Sequence, residues 1–136
     1  DADLGRALEG ARKRGRLRSA EILSGEEMLS ADAFANLLGV SRVTVNTRRQ
    51  KNELLALDGA KRGFRFPAWQ VDENGKPYPA LRELFEILGG GPWTVYRFLV
   101  QRHPELAGAR ALDALRRGRT AEVLEVAESV ARGALG

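Results

Sequence analysis

Residues 31–50 read ADAFANLLGVSRVTVNTRRQ, and the spacing of this stretch decides how the rest of the chain is read. Ser30 is a ready N-cap for a helix over Ala31–Leu38, whose Phe34, Leu37 and Leu38 recur on one face. Gly39 ends that helix in a left-handed turn that costs glycine nothing, and Ser41 caps a second helix, Arg42–Lys51. Ala35 is small where the second helix crosses the first, and Phe34, Leu38, Val40 and Val45 fill the wedge between them. That layout is a helix-turn-helix. With those sides buried, Ser41, Arg42, Val43, Asn46, Thr47 and Gln50 face outward. Arginine pairs bidentately with guanine, asparagine or glutamine with adenine, and threonine or valine meets a thymine methyl. Arg48, Arg49 and Lys51 suit phosphate, which adds affinity without sequence information. A helical hairpin that binds nothing shares the spacing. The absence of acidic residues from Arg42 to Asn52 favours DNA. Arg48 is a misfit where such motifs often hold an apolar residue; its stem can cover the core while its head reaches outward.

The sequence downstream fits a wing. Leu54–Leu57 and Phe64–Pro67 flank a basic, glycine-containing turn at Asp58–Gly63, which reads as a β-hairpin presenting Lys61, Arg62 and Arg65. Phe64, Phe66 and Trp69 are expected to pack inside. Asp72-Glu73-Asn74-Gly75 marks a second tight turn. Upstream, Ala11–Ile22 reads as a basic amphipathic helix weakened by Gly15.

Beyond residue 79 the pattern is helical: Ala80–Leu88, a Gly89-Gly90-Gly91 joint, a helix from Pro92 to about Arg102, then Ala109–Arg117 and Thr120–Arg132, closed by Gly118 and Gly133. His103, beside Pro104, reads as a surface cap rather than a general base. The expected fold is mainly α, a helix-turn-helix with a small β-hairpin wing plus a C-terminal helical domain. Its divisions are residues 1–63, a connector over 64–79, and 80–136.

Charge follows the same division. The net charge is +4 over 136 residues; residues 1–66 hold 13 basic and 9 acidic side chains, and residues 67–136 hold 9 of each. A basic excess confined to one half is the footprint of a polyanion partner. With no cysteine there is neither a disulfide nor a thiolate metal site. No apolar run approaches the roughly 20 residues that span a bilayer, and the first thirty residues lack a signal-peptide core, so a cytoplasmic location is expected. No nucleophile elbow, phosphate loop or spaced metal ligands occur, so neither an enzyme nor a cofactor is indicated. A sequence-reading module of this size ordinarily dimerises on its operator, giving a homodimer.

Leu99-Val100-Gln101-Arg102-His103-Pro104-Glu105-Leu106-Ala107-Gly108 followed by Ala111-Leu112-Asp113-Ala114-Leu115-Arg116-Arg117-Gly118 resembles the toxin-binding domain of Xre/MbcA/ParS-type antitoxins, partners of RES-domain toxins. Leu38-Gly39-Val40-Ser41-Arg42-x-Thr44-Val45-Asn46 and Phe66-Pro67-Ala68-Trp69-Gln70 are similar to the module that precedes that domain. The resemblance covers roughly residues 28–133; Ala111 stands where the family often has proline. It implies a catalytically inert antitoxin of a toxin that consumes NAD or transfers ADP-ribose, repressing its own operon. It also implies that the C-terminal helix and tail cover the toxin's NAD pocket, which points to Val130, Ala131, Arg132, Gly133, Ala134, Leu135 and Gly136. Two other readings fit the residues: a stand-alone helix-turn-helix regulator with a C-terminal oligomerisation domain, and an interaction adaptor that has lost DNA binding.

Overall fold

The structure, a computed structural model, describes residues 2–135, with side chains through residue 133. Helix α1 spans Ala2–Leu23, starting nine residues earlier than the basic segment alone indicated. Two residues then form β1, Met28–Leu29, ahead of α2, Ala31–Leu38, and α3, Arg42–Gln50. The caps are those the sequence requires. Ser30 Oγ accepts from Ala33 N at 3.2 Å and Ser41 Oγ from Thr44 N at 3.1 Å. Gly39 has φ 71°, and its N–H returns to the carbonyls of Ala35 and Asn36. Phe34, Ala35 and Val45 are buried in one cluster with Leu54, Ala56 and Phe66, and the Phe34 and Phe66 rings stack at 5.0 Å.

The small antiparallel sheet is not the hairpin that the sequence pattern indicates. Its second strand, β2 (Phe66–Pro67), pairs with β1, with Met28 opposite Pro67 and Leu29 opposite Phe66. Between residues 54–57 and 64–67 a single rung forms, Leu57 N to Arg65 O at 2.8 Å and Arg65 N to Leu57 O at 2.9 Å. The physical reason lies two residues on. The next hydrogen-bonded pair of that ladder would be Leu55 with Pro67, and proline has no N–H to donate. Gln70 supplies the missing rung from its side chain. Leu55 N donates to Gln70 Oε1 at 2.7 Å, while Gln70 Nε2 donates to Leu55 O at 2.8 Å and to Pro67 O at 3.1 Å. Gln70 is fully buried, so these bonds are shielded from water.

The segment around Gln70 is followed by the expected turn: Asp72 Oδ1 accepts from Asn74 N and Lys76 N at 2.8 and 3.0 Å. Four helices complete the chain, α4 (Ala80–Leu88), α5 (Pro92–Val100), α6 (Ala111–Arg116) and α7 (Thr120–Leu135). Their buried faces, including Leu81 and Leu84 of α4 and Val123, Val126 and Ala127 of α7, form the main core. Leu23, Leu55 and Leu57 also enter this core, so it draws on residues from both sides of position 64. Helix α7 continues through Gly133, where a terminus was expected; a side chain there would meet nothing within 4 Å.

His103 is not a surface cap. It is 4% exposed, its Nε2 lies 2.9 Å from Phe98 O, and its ring packs on that of Phe98 at 4.7 Å. The loop after α5 folds back on it, with His103 N bonded to Ala109 O and Gly108 N to His103 O, both at 3.0 Å. Among the described residues no helix is long and apolar enough to cross a membrane.

Replacing Gln70 by Leu preserves bulk and strands the N–H and C=O of Leu55 in the interior. A loss of about 2–4 kcal/mol in urea unfolding is expected; a loss within experimental error would show that the rung is dispensable. A smaller effect is expected at the head of α6, where Asp113 accepts from Arg110 Nε and Nη2 at 2.8 and 3.0 Å. Those hydrogen bonds, with the charges of Arg110, Arg116 and Arg117, hold the Asp113 carboxyl below its ordinary value. A depressed carboxylate stabilises the fold above its unfolded pKa, and that contribution disappears as pH falls through the folded one. Asp113→Asn should therefore be less stable than the unmodified chain near neutrality and converge with it in acid, followed by thermal melts against pH.

Candidate nucleic-acid interface

Helix α3 is held by its inner side, where Val45 is fully buried, and this fixes which side chains remain outside. Ser41, Arg42, Val43, Thr47, Gln50 and Lys51 are exposed; Asn46, Arg48 and Arg49 are half-buried. Val43 is 74% exposed, an apolar side chain held in water at the start of the helix. Thr47 Oγ1 donates back to Val43 O at 3.0 Å, which uses its hydroxyl internally and leaves its methyl free. Arg42 sits 3.4 Å from the Asp32 carboxylate of α2, an exposed and therefore weak pair that steers the guanidinium more than it stabilises the fold.

The two consecutive arginines of α3 diverge. Arg48 is half-buried and lines a cleft with Glu53, Leu54, Tyr78 and Arg82. Arg49 turns the other way and lies over the Phe64 ring, 4.2 Å from its centroid, with Nε buried and without a hydrogen-bond partner. This cation–π contact ties the helix to the loop that follows.

That loop, residues 58–64, is anchored at several points. The Leu57–Arg65 rung closes its base. Arg65 Nη1 donates to the carbonyls of Arg62 and Phe64 at 2.9 and 3.1 Å. Trp93 Nε1 donates to Asp58 at 2.9 Å, fastening the loop to α5. Lys61 and Arg62 are left exposed at its tip. A groove of about 450 Å³ runs between the loop, the outer side of α3 and the start of α2, with Arg42, Asn46, Arg62 and Arg65 on its walls and Asp32 among them.

The structure therefore brings together Arg42, Asn46 and Arg62 at one groove and places Arg48 at another. Phe64, expected only as core, proves to be the platform for Arg49; a basic residue next to the last position of a basic helix gave no hint of that partner. At the opposite end of the chain, Val130, Arg132 and Gly133 are exposed on α7 and Ala131 is half-buried. Ala134 and Leu135 continue the helix; their side chains, and the whole of Gly136, lie outside the described residues.

These features define a mainly helical protein with a small antiparallel sheet and a basic groove beside a short exposed helix. No protein-family model and no curated protein sequence matches the chain. A solved structure with the same fold is the NMR structure of Rv2175c, with a TM-score of 0.70 and 24% sequence identity, covering 79% of this chain and 83% of that one. At that identity the likeness concerns the fold alone.

If Arg49 and Phe64 act as a unit, a double-mutant cycle between Arg49→Met and Phe64→Leu should show a coupling of about 0.5–2 kcal/mol in urea unfolding. Strictly additive losses would mean that the two side chains merely lie near each other.

Proposed function

We propose that this chain is a DNA-binding regulator that reads operator DNA through a helix-turn-helix formed by α2 and α3, with the loop around Lys61 and Arg62 as its wing. The observation that carries the reading is the row of exposed Arg42, Val43, Thr47 and Gln50, with Asn46 beside them, on a helix whose opposite side is locked into the core at Val45. Those are side chains with donors, acceptors and methyls suited to base edges. The basic loop next to them supplies phosphate contacts, and the basic excess of the chain lies in this half. Pairing of two such modules on a palindromic site is the expected mode of action. No catalytic role is assigned.

The resemblance to antitoxins adds a second role, the silencing of a RES-domain toxin. Its support from the geometry is the exposure of Val130, Arg132 and Gly133 at the end of α7. Co-expression with the neighbouring gene product, with cellular NAD as the readout, tests that role separately.

For DNA binding, Arg42→Ala should weaken the operator by about 1–3 kcal/mol and relax the preference at a single base pair if Arg42 reads guanine. Equal weakening on every sequence would make Arg42 a phosphate contact. Binding that shows no salt dependence at all would reject the reading, because each phosphate contact contributes about −0.9 to the slope of log affinity against log salt.

A further inference from the structure

Helix α1 is the largest element that the proposed interface leaves unused. Only its last turn is packed: Leu23 is buried and Ile22 half-buried against the main core. Ser19 and Gly10 are half-buried, and the other described positions from Ala2 to Ala20 are exposed. The helix ends against the wing-like loop, since a Cβ on Gly59 would lie 3.5 Å from Leu23 Cδ1. It also borders α5 along a groove that includes Arg18, Trp93, Tyr96 and Arg97.

The cations of this helix are distributed unevenly. Arg12 and Arg16 share Glu9, at 3.6 and 3.9 Å. Lys13, Arg14 and Arg18 have no carboxylate within ion-pair distance among the described residues. At 3.6 residues per turn these three fall within about 140° of the helix circumference, and the Glu9-paired arginines fall on the other side. One flank thus carries three cations without an ion-pair partner along about 8 Å, with the exposed Glu21 one turn beyond Arg18 on the same flank.

The apolar residues do not form a competing surface. Leu4, Leu8 and Leu17 are 58, 47 and 56% exposed, but Leu17 lies about 140° around the helix from Leu4 and opposite Leu8. Leu4 and Leu8 share one face, but Ala11 and Gly15 continue it without a large side chain, so the helix offers a second copy one apolar turn rather than a long seam. Charge, not apolar area, is what this element offers a partner.

We propose that α1 is a second DNA-contacting element, an arm whose Lys13, Arg14 and Arg18 bind phosphates flanking the segment read by α3. The inference rests on the DNA-binding reading above. The end of α1 meets the loop that carries Lys61 and Arg62 at Gly59 and Leu23, which sets the arm beside the proposed wing. Contacts of this kind add affinity on any sequence and steepen the salt dependence without changing base preference.

The test is the triple substitution Lys13→Gln, Arg14→Gln and Arg18→Gln in the full chain, titrated with a short mixed-sequence DNA duplex at several potassium chloride concentrations. Glutamine keeps the helix, which circular dichroism checks. The slope of log affinity against log salt should become shallower by about 2–3. Exchanging Lys13 for Arg, and Arg14 and Arg18 for Lys, should leave it unchanged. An unaltered slope in the triple variant, with Lys61→Gln and Arg62→Gln still weakening the complex, would overturn the proposal and leave the DNA-binding reading standing. An unaltered slope with a changed sedimentation mass would assign α1 to contacts between copies and overturn it equally. If the unmodified chain shows no salt-dependent binding, the DNA-binding reading fails and the arm with it.

Discussion

The fold depends on one extended segment, Leu54–Leu57, and on the side-chain amide that holds it. Successive residues of an extended chain point to opposite sides. Leu54 and Ala56 accordingly enter the cluster around Phe34, Val45 and Phe66, and Leu55 and Leu57 enter the core of α4–α7. The segment is a wall shared by both cores, so its backbone must be dry and still fully hydrogen-bonded. Pro67 denies it a normal strand partner, and Gln70 replaces that partner by presenting one acceptor and one donor to the same residue. Any slip of this segment by one residue would exchange the two sets of side chains between the cores. The relative placement of α3 and the C-terminal helices follows from this one register.

The exposed loop inherits its position from the same place. Its base is the single rung at Leu57 and Arg65, immediately beyond the Gln70 clamp. A seven-residue loop with one rung would wander. Here Arg65 fastens its carbonyls, Trp93 holds Asp58, and Arg49 lies on Phe64. Two arginines that composition alone would count as phosphate ligands are therefore partly occupied in holding other cations in place. Anchoring the backbone that carries Lys61 and Arg62 reduces the entropy that the proposed binding must overcome. The Asp32 carboxylate near Arg42 acts in the same direction, aiming a flexible side chain along the groove.

Local signals in the sequence were legible and nonlocal ones were not. Ser30, Gly39 and Ser41 set the ends of α2 and α3 because capping and left-handed turns are decided within a few residues. Asp72–Gly75 turned as its residues require. The pairing of Met28–Leu29 with Phe66–Pro67 spans nearly forty positions, and two-residue strands carry no periodicity from which to infer it. Gln70 looked like an ordinary polar residue after an aromatic one; only the proline three positions earlier, at the point where a ladder bond was due, marks its role. His103 misled for a related reason, since histidine before proline is the pattern of an exposed turn, and the loop's return onto Phe98 is tertiary. At the proposed interface the outward residues of α3 followed from helical spacing, and the diversion of Arg49 to Phe64 did not.

The length of α1 and the placement of its charges have a common explanation. Gly5, Gly10 and Gly15 lower helix propensity by about 1 kcal/mol each relative to alanine, and residues 2–18 bury no side chain. Such a helix is held mainly by its docked end at Ile22 and Leu23, so its outer turns have little tertiary support. Lys13, Arg14 and Arg18 stand between those outer turns and the docked end, and a polyanion bound there, as proposed, would also stabilise the turns that carry them. An element of this kind serves contacts that need charge and reach rather than fixed geometry. Helix α3 is the reverse case, locked at Val45 and flanked by an anchored loop. In the proposed DNA-binding reading, the two elements divide between them the tasks that base reading and phosphate binding set.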